Sequence, residues 1–267
     1  MVVIERSFII LPGIGPKNEQ RLWANGIDSW DSLLFRKRIK GLSDERMERY
    51  RQIAKQIINL QSKGMIHEIG MMLPKKETWR LLGSWDSRYI AMDAECVKIQ
   101  GISSPVIVSV YRGFDRPVTL LRGDDLCWKN LKELIRGGQY LVTFNGSSFD
   151  MPMLERWGYS PDNIMHIDLR RFAQRAGLTG GLKSIERKLG IVRSRELEFS
   201  TERQVSYLWR LWEEKGSKNA LDLLVRYNVQ DTTTLRSLSK EIYDRLRNDA
   251  MEEYHTGIRR GDVHWTL

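Results

Sequence analysis

Apolar and polar positions divide the chain into a helical front and a middle that alternates strands with helices. In the front, Asn18–Ala24 carries a helical pattern closed at Asn25-Gly26, and Ser29–Phe35 carries another, with Asp28 or Ser29 as its cap. Residues 36–82 are helical and basic. There Ser43 precedes a stripe of Ile53, Ile57, Ile58 and Leu60. The charges of this stretch, including Lys75-Lys76-Glu77-Thr78-Trp79-Arg80, read chiefly as a solvated face. In the middle, Tyr89–Val97, Val106–Tyr111 and Pro117–Leu121 are short β-prone runs joined by tight turns, which predicts antiparallel strands. An amphipathic helix follows over Asp124–Arg136, with Leu126, Leu131, Leu134 and Ile135 on one side. Gln139–Phe144 is continuously apolar, as a buried strand would be. A helix over Ser147–Trp157, a strand over Asn163–Leu169 and a mostly helical remainder complete the pattern.

Three polar signals interrupt this apolar scaffold. Asp93 and Glu95 lie two apart in the first strand and therefore leave the same face. Two like charges in a strand meant for a fold interior cost energy unless a cation lies between them, and a hard divalent ion suits carboxylate oxygen. Taken alone, the pair reads as an edge strand with a solvated polar face; the signals that follow favour the metal instead. The second signal is Phe144-Asn145-Gly146-Ser147-Ser148-Phe149-Asp150, a strand end, a tight turn and a helix start. Ser147 or Ser148 can cap that helix and put Asp150 in its first turn, where a carboxylate also suits the helix dipole. The third is Tyr227-Asn228-Val229-Gln230-Asp231. Tyr227 and Asp231 are four apart on one helix face, a spacing that a packed tyrosine and a surface aspartate would share.

In this order and context, Asp93 and Glu95, then Asn145 and Asp150, then Tyr227 and Asp231, resemble the three motifs of DEDD-superfamily exonucleases. The tyrosine-type group is the closer likeness, because Arg226 stands where the histidine-type group has its histidine. That group includes proofreading domains of family B DNA polymerases. The resemblance spans about residues 84–245, and a stand-alone or partner-bound nuclease, without a polymerase domain, is expected. It implies an α/β ribonuclease H-like fold, a mixed five-stranded sheet flanked by helices, and the element order above suits it. It implies a metal-dependent 3′–5′ exonuclease that releases nucleoside monophosphates by a two-ion mechanism with Mg²⁺ or Mn²⁺. By the same resemblance Asp93, Glu95, Asp150 and Asp231 are metal ligands. Asp93, Glu95 and Asp231 would hold one ion, and Asp93 would bridge to the other with Asp150. Tyr227 would orient the attacking water, Asn145 would hold the terminal nucleotide, and Glu95 would meet the 3′ hydroxyl.

Upstream, Leu11-Pro12-Gly13-Ile14-Gly15 with Leu22 and Ile27 resembles a helix-hairpin-helix. That likeness implies phosphate contacts through Gly13, Gly15 and Lys17; a Gly-Pro turn between packed helices is the simpler account. The domains expected are residues 1–82, a helical nucleic-acid-binding region and basic linker; 83–250, the exonuclease; and 251–267, a tail with Arg259, Arg260 and Trp265, open to disorder or partner docking. Lys183 is a further candidate for the substrate face. His166 suits a hydrogen-bonded core position, Asp168 suits a helix cap, and Tyr207, Trp209 and Trp212 suit helix packing, with base stacking the alternative for one ring.

Composition tilts the choice of partner. The formal net charge is +9 and the sequence pI about 9.6, which favours nucleic acid over membrane. The preferred partner is single-stranded or 3′-ended DNA, with RNA as an alternative. Two unspaced cysteines, Cys96 and Cys127, exclude a disulfide framework and a zinc site. With no apolar run of membrane length and no leader-like start, a cytoplasmic setting is expected. A non-catalytic nucleic-acid scaffold, and an RNA-processing or structure-specific nuclease, share these features.

Overall fold

The computed structural model describes residues 3–83, 88–113, 115–156, 158, 164–197 and 202–259. Trp157, Asn163, Arg260 and Trp265 lie outside that set. Two compact units are present, residues 1–84 with 243–267, and residues 85–242.

The first unit contains helices α1 (Pro16–Ala24), α2 (Trp30–Phe35), α3 (Asp44–Ser62) and α4 (Ile66–Met72), with short 3-10 turns at Val3–Arg6, Phe8–Ile10 and Lys75–Gly83. Ser29 caps α2 in a reciprocal capping box with Ser32, and the Ser43 side chain accepts from the Arg46 N–H at the start of α3. The buried seam of α3 is Met47, Tyr50, Ala54 and Ile57, a turn earlier than the predicted stripe. Residues 75–80 also depart from expectation. Lys75 and Lys76 are exposed, but Glu77 and Arg80 are buried. Arg80 bonds Glu19 at 2.7 Å, Glu77 at 2.9 Å and the Ser7 hydroxyl at 3.0 Å, so partners elsewhere in the unit satisfy its charge.

The second unit is built on a mixed five-stranded sheet in the order β3-β2-β1-β4-β5. The strands are β1 (Tyr89–Ile99), β2 (Ile102–Arg112), β3 (Val118–Leu121), β4 (Tyr140–Thr143) and β5 (Met165–Asp168). β1, β2 and β3 are antiparallel neighbours, whereas β1, β4 and β5 run parallel. Asp93 and Glu95 thus belong to the central strand of the sheet rather than to an edge strand, although at these two residues only the β2 side of β1 is paired. The hairpin is also longer than predicted. Gln100 and Gly101 both have positive φ, 50° and 81°, which makes a two-residue turn directly after Ile99. A bulge between Glu95 and Cys96 accommodates Pro105, which lacks an N–H for the ladder. The extra residue turns both Val106 and Ile107 into one core cluster, with Val97, Trp209 and Leu224.

Helices cover both faces. α5 (Trp128–Ile135) and α6 (Asp150–Arg156) supply Leu131, Ile135, Met153 and Leu154 to a core with Ile90, Met92 and Leu141. α5 begins four residues later than predicted, because Asp125 uses its carboxylate to accept the Leu121 N–H in a turn. α7 (Leu169–Arg175) and α8 (Leu182–Lys188) follow β5. α9 (Glu202–Lys215) and α10 (Lys218–Arg259) come last, with Val205, Trp209 and Leu224 packed on the face of β1 that carries Val97. Among the described residues no helix is long and apolar enough to cross a membrane.

Candidate metal centre

Central placement of β1 sets up the site. β1 pairs with β4 only from Tyr89 to Ala91 and then continues alone on that side. Asp93 and Glu95 follow this divergence, on the face shared with Val97. Parallel sheets bind ligands in such a crevice, beyond the carboxyl ends of their strands. The Ala94 N–H, left without a ladder partner from β4, donates to the Asp150 carboxylate.

α10 completes the cluster. Oxygen atoms of Asp93, Glu95 and Asp231 all lie within 4.8 Å of one another. The side-chain amide of Asn228 donates to Asp93 Oδ2 at 2.7 Å, and its own Oδ1 is buried without a partner. Tyr227 donates its hydroxyl to Asp231, one helical turn on. Its ring is flanked by Lys183 Nζ, 4.7 Å from the centroid, and the Arg193 guanidinium carbon, 5.6 Å away.

Asp150 is 6% exposed and starts α6. It stands outside the three-carboxylate cluster but close enough to repel Asp93. The turn before it is tightly specified. Asn145 adopts φ 65°, and a Cβ on Gly146 would collide with the Thr143 side chain and Asp150. Asp168 binds this turn to β5, accepting from the N–H groups of Asn145 at 2.8 Å and Ser147 at 3.1 Å, and it also caps α7 through Arg170 N–H. The Asn145 side chain is engaged by Arg170 at 2.8 Å. His166 bonds Thr143 Oγ1 at 2.9 Å, the hydrogen-bonded histidine that the sequence suggested.

Proton affinities record the crowding. Burial pushes the Asp93 carboxyl well above the usual range, and repulsion from Asp231, Glu95 and Asp150 pushes it further. Burial also raises Asp150, to about 7, against the N–H groups of Asp150 itself and Ala94, which favour its charge. Asp231 is raised by burial too, against Arg193 and the Tyr227 hydroxyl. Asp168 is the exception: hydrogen bonds from Ser147, Arg170 and Asn145 outweigh its burial and hold its carboxyl low. The group as a whole is short of positive charge. An all-oxygen donor set in that condition fits a hard divalent cation.

Residues 119–243 match the family model of the RNase H superfamily. With the sheet described above, the fold is ribonuclease H-like. The match points to a nucleic-acid-cleaving hydrolase, and the acid cluster is compatible with divalent metal. No curated protein and no solved structure gives a significant match.

Two residues of the centre escape sequence reasoning. Asn228 lies three before Asp231, so helix periodicity marks its face, but an amide there carries no charge signal. Arg193 had no local signal. Its Nη2 lies 2.5 Å from Asp231 Oδ1, while Nε and Nη2 hold Glu186 at 2.5 and 2.6 Å. Gly13, Gly15 and Lys17 belong to the other compact unit. Gly15 is the N-cap of α1, without a side-chain cap bond, and Lys17 is exposed. Leu22 and Ile27 are buried, and a 3-10 turn rather than a helix precedes the hairpin.

Proposed function

We propose that this chain is a metal-dependent exonuclease that shortens single-stranded nucleic acid, DNA before RNA, from its 3′ end. The observation that carries this reading is the adjacency of the acid cluster to a groove of about 790 Å³ that shares Glu95 with it. Phe149 and Tyr207 line the groove and are 62% and 59% exposed. Exposed rings offer stacking to unpaired bases, whose faces a duplex hides. Lys98, Arg156, Arg203 and Arg210 line it as well, against Glu213 and Glu214. That balance suits a phosphate backbone.

In this reading Asp93, Glu95 and Asp231 hold one Mg²⁺ or Mn²⁺, and Asp93 and Asp150 hold a second. The ions would supply Lewis acidity and neutralise charge at the scissile phosphate. Asn228 fixes the Asp93 carboxylate. Tyr227, anchored by Asp231, orients the attacking water with its hydroxyl. Glu95 faces both cluster and groove, where a 3′ hydroxyl would end. Asn145 and Lys183 contact the terminal nucleotide. Gly13, Gly15 and Lys17 hold backbone phosphates through the α1 N-terminus and a positive side chain.

The deciding experiment presents 5′-labelled linear DNA and RNA, and circular single-stranded DNA, with Mg²⁺ or Mn²⁺ and then with chelator. Stepwise shortening of linear DNA, with circles intact and no reaction in chelator, is the expected result. Binding without cleavage under every divalent ion would favour a scaffold. Cut circles would favour an endonuclease, and shortening of RNA alone an RNA-processing enzyme.

A further inference from the structure

Arg193 is more than a strut for Glu186. The two side chains are 5% and 2% exposed, and the carboxylate takes Nε and Nη2 in a fork. That fork alone satisfies the buried Glu186 charge. Yet Nη2 also reaches Asp231 Oδ1 at 2.5 Å, and Nη1 is buried without a hydrogen-bond partner. An unused donor of this kind is costly, and a structural pair has no need of it. Its guanidinium carbon lies 5.6 Å from the ring centroid of Tyr227, the residue proposed above to orient the attacking water. Asp231 thus has two competing uses, as partner of Arg193 and as ligand of a divalent cation.

We propose that Arg193 exchanges partners. It holds Asp231 in the ion-free chain, yields it when a divalent cation takes that carboxylate, and then presents Nη1 and Nη2 to a phosphate oxygen of the nucleic acid. Glu186 keeps Nε throughout, so the guanidinium turns about a fixed tether rather than leaving the site. The phosphate contact rests on the nuclease reading; the exchange at Asp231 does not. A neighbouring opposite charge alters a carboxylate's proton affinity by roughly 10- to 1000-fold. Removing Arg193 should strengthen cation binding on a comparable scale.

The test replaces the pair as Arg193→Met with Glu186→Met, since exchanging a buried ion pair for apolar side chains of similar size is often tolerated. Arg193→Gln with Glu186→Gln is the second pair, in case the first fails to fold. Mn²⁺ binding is measured by titration without nucleic acid. Thymidine 5′-monophosphate binding is measured at saturating Mn²⁺. The folded variant should bind Mn²⁺ at least about tenfold more tightly and the nucleotide at least about tenfold more weakly. A merely structural role moves both affinities down or neither. Unchanged or weaker Mn²⁺ binding overturns the exchange, and unchanged nucleotide binding overturns the phosphate contact. Tighter Mn²⁺ binding by the variant, beside a wild-type chain that cleaves neither DNA nor RNA with any divalent ion, would keep the exchange and reject the nuclease.

Discussion

The Asn228 side-chain amide holds Asp93 Oδ2 at 2.7 Å, joining the third motif on α10 to the central strand 135 residues earlier. The bond leaves the other Asp93 oxygen for a cation and fixes the rotamer of the carboxylate. Partners that orient a metal ligand typically matter by 10- to 100-fold in metal affinity. Asn228→Ala is therefore expected to weaken Mn²⁺ binding by about that factor with the fold intact. Titration calorimetry beside a circular dichroism spectrum checks it; equal affinity would show the bond to be incidental.

Loss of a carboxylate and loss of a hydroxyl should differ in kind. Asp93→Ala or Asp231→Ala is expected to lower cleavage by about 10³ or more, because a cation ligand goes. Tyr227→Phe keeps every carboxylate and removes only the hydroxyl that Asp231 accepts, so cation affinity should fall no further than in Asn228→Ala, while kcat falls as well. Full activity in Asp93→Ala would remove the basis of the metal assignment.

Crowded carboxylates make the cation-free chain sensitive to pH. The Asp150 carboxyl is raised from 3.8 to about 7, and Asp93 and Asp231 shift the same way. Between these limits the folded chain binds more protons than the unfolded one, so its stability falls as pH rises from about 4 to about 7. Melting in chelator should therefore drop across this window. Asp150→Asn should flatten the drop and raise Tm at pH 7.5 by several degrees, on the order of 2–4 °C per kcal/mol. Added divalent cation should stabilise wild type more at pH 7.5 than at pH 5.5. A wild-type Tm that rises through the window in chelator would contradict the sign.

Arg80 is the counterpart in the first unit. It is 2% exposed and bonds both Glu19 and Glu77. Burial already raises the Glu19 carboxyl, and Arg80 opposes that rise. Arg80→Met would strand two buried carboxylates, at a cost of about 3–5 kcal/mol. Urea denaturation measures it, and the loss should shrink at low pH, where the raised Glu19 carboxyl protonates.

Much of the fold was legible because periodicity reports burial. The apolar start of Tyr89–Val97, the apolar run of Tyr140–Val142 and the helix spacing around Leu235 and Leu238 each fall on buried residues. Boundaries were less legible. Ser103, Ser104 and Pro105 are weak strand formers, yet the turn at Gln100-Gly101 and the bulge carry β2 back to Ile102. The Arg80 network was hidden for a related reason: its partners lie at positions 7 and 19, and nothing local marks a charge as buried.

Sequence by itself settled the chemical types and their order: two carboxylates two apart on one strand face, one at a helix start, and one a helical turn after a tyrosine. Those are local facts, set by the two-residue repeat of strands and the 3.6-residue repeat of helices. Only the tertiary structure decided which groups share a space. It put β1 at the centre of the sheet, ended β4 early enough to free Ala94 N–H for Asp150, and brought Asn228 and Asp231 to Asp93 and Glu95. It also set Arg193 against Asp231. Such pairings depend on how separate elements pack, and distance along the chain does not encode them.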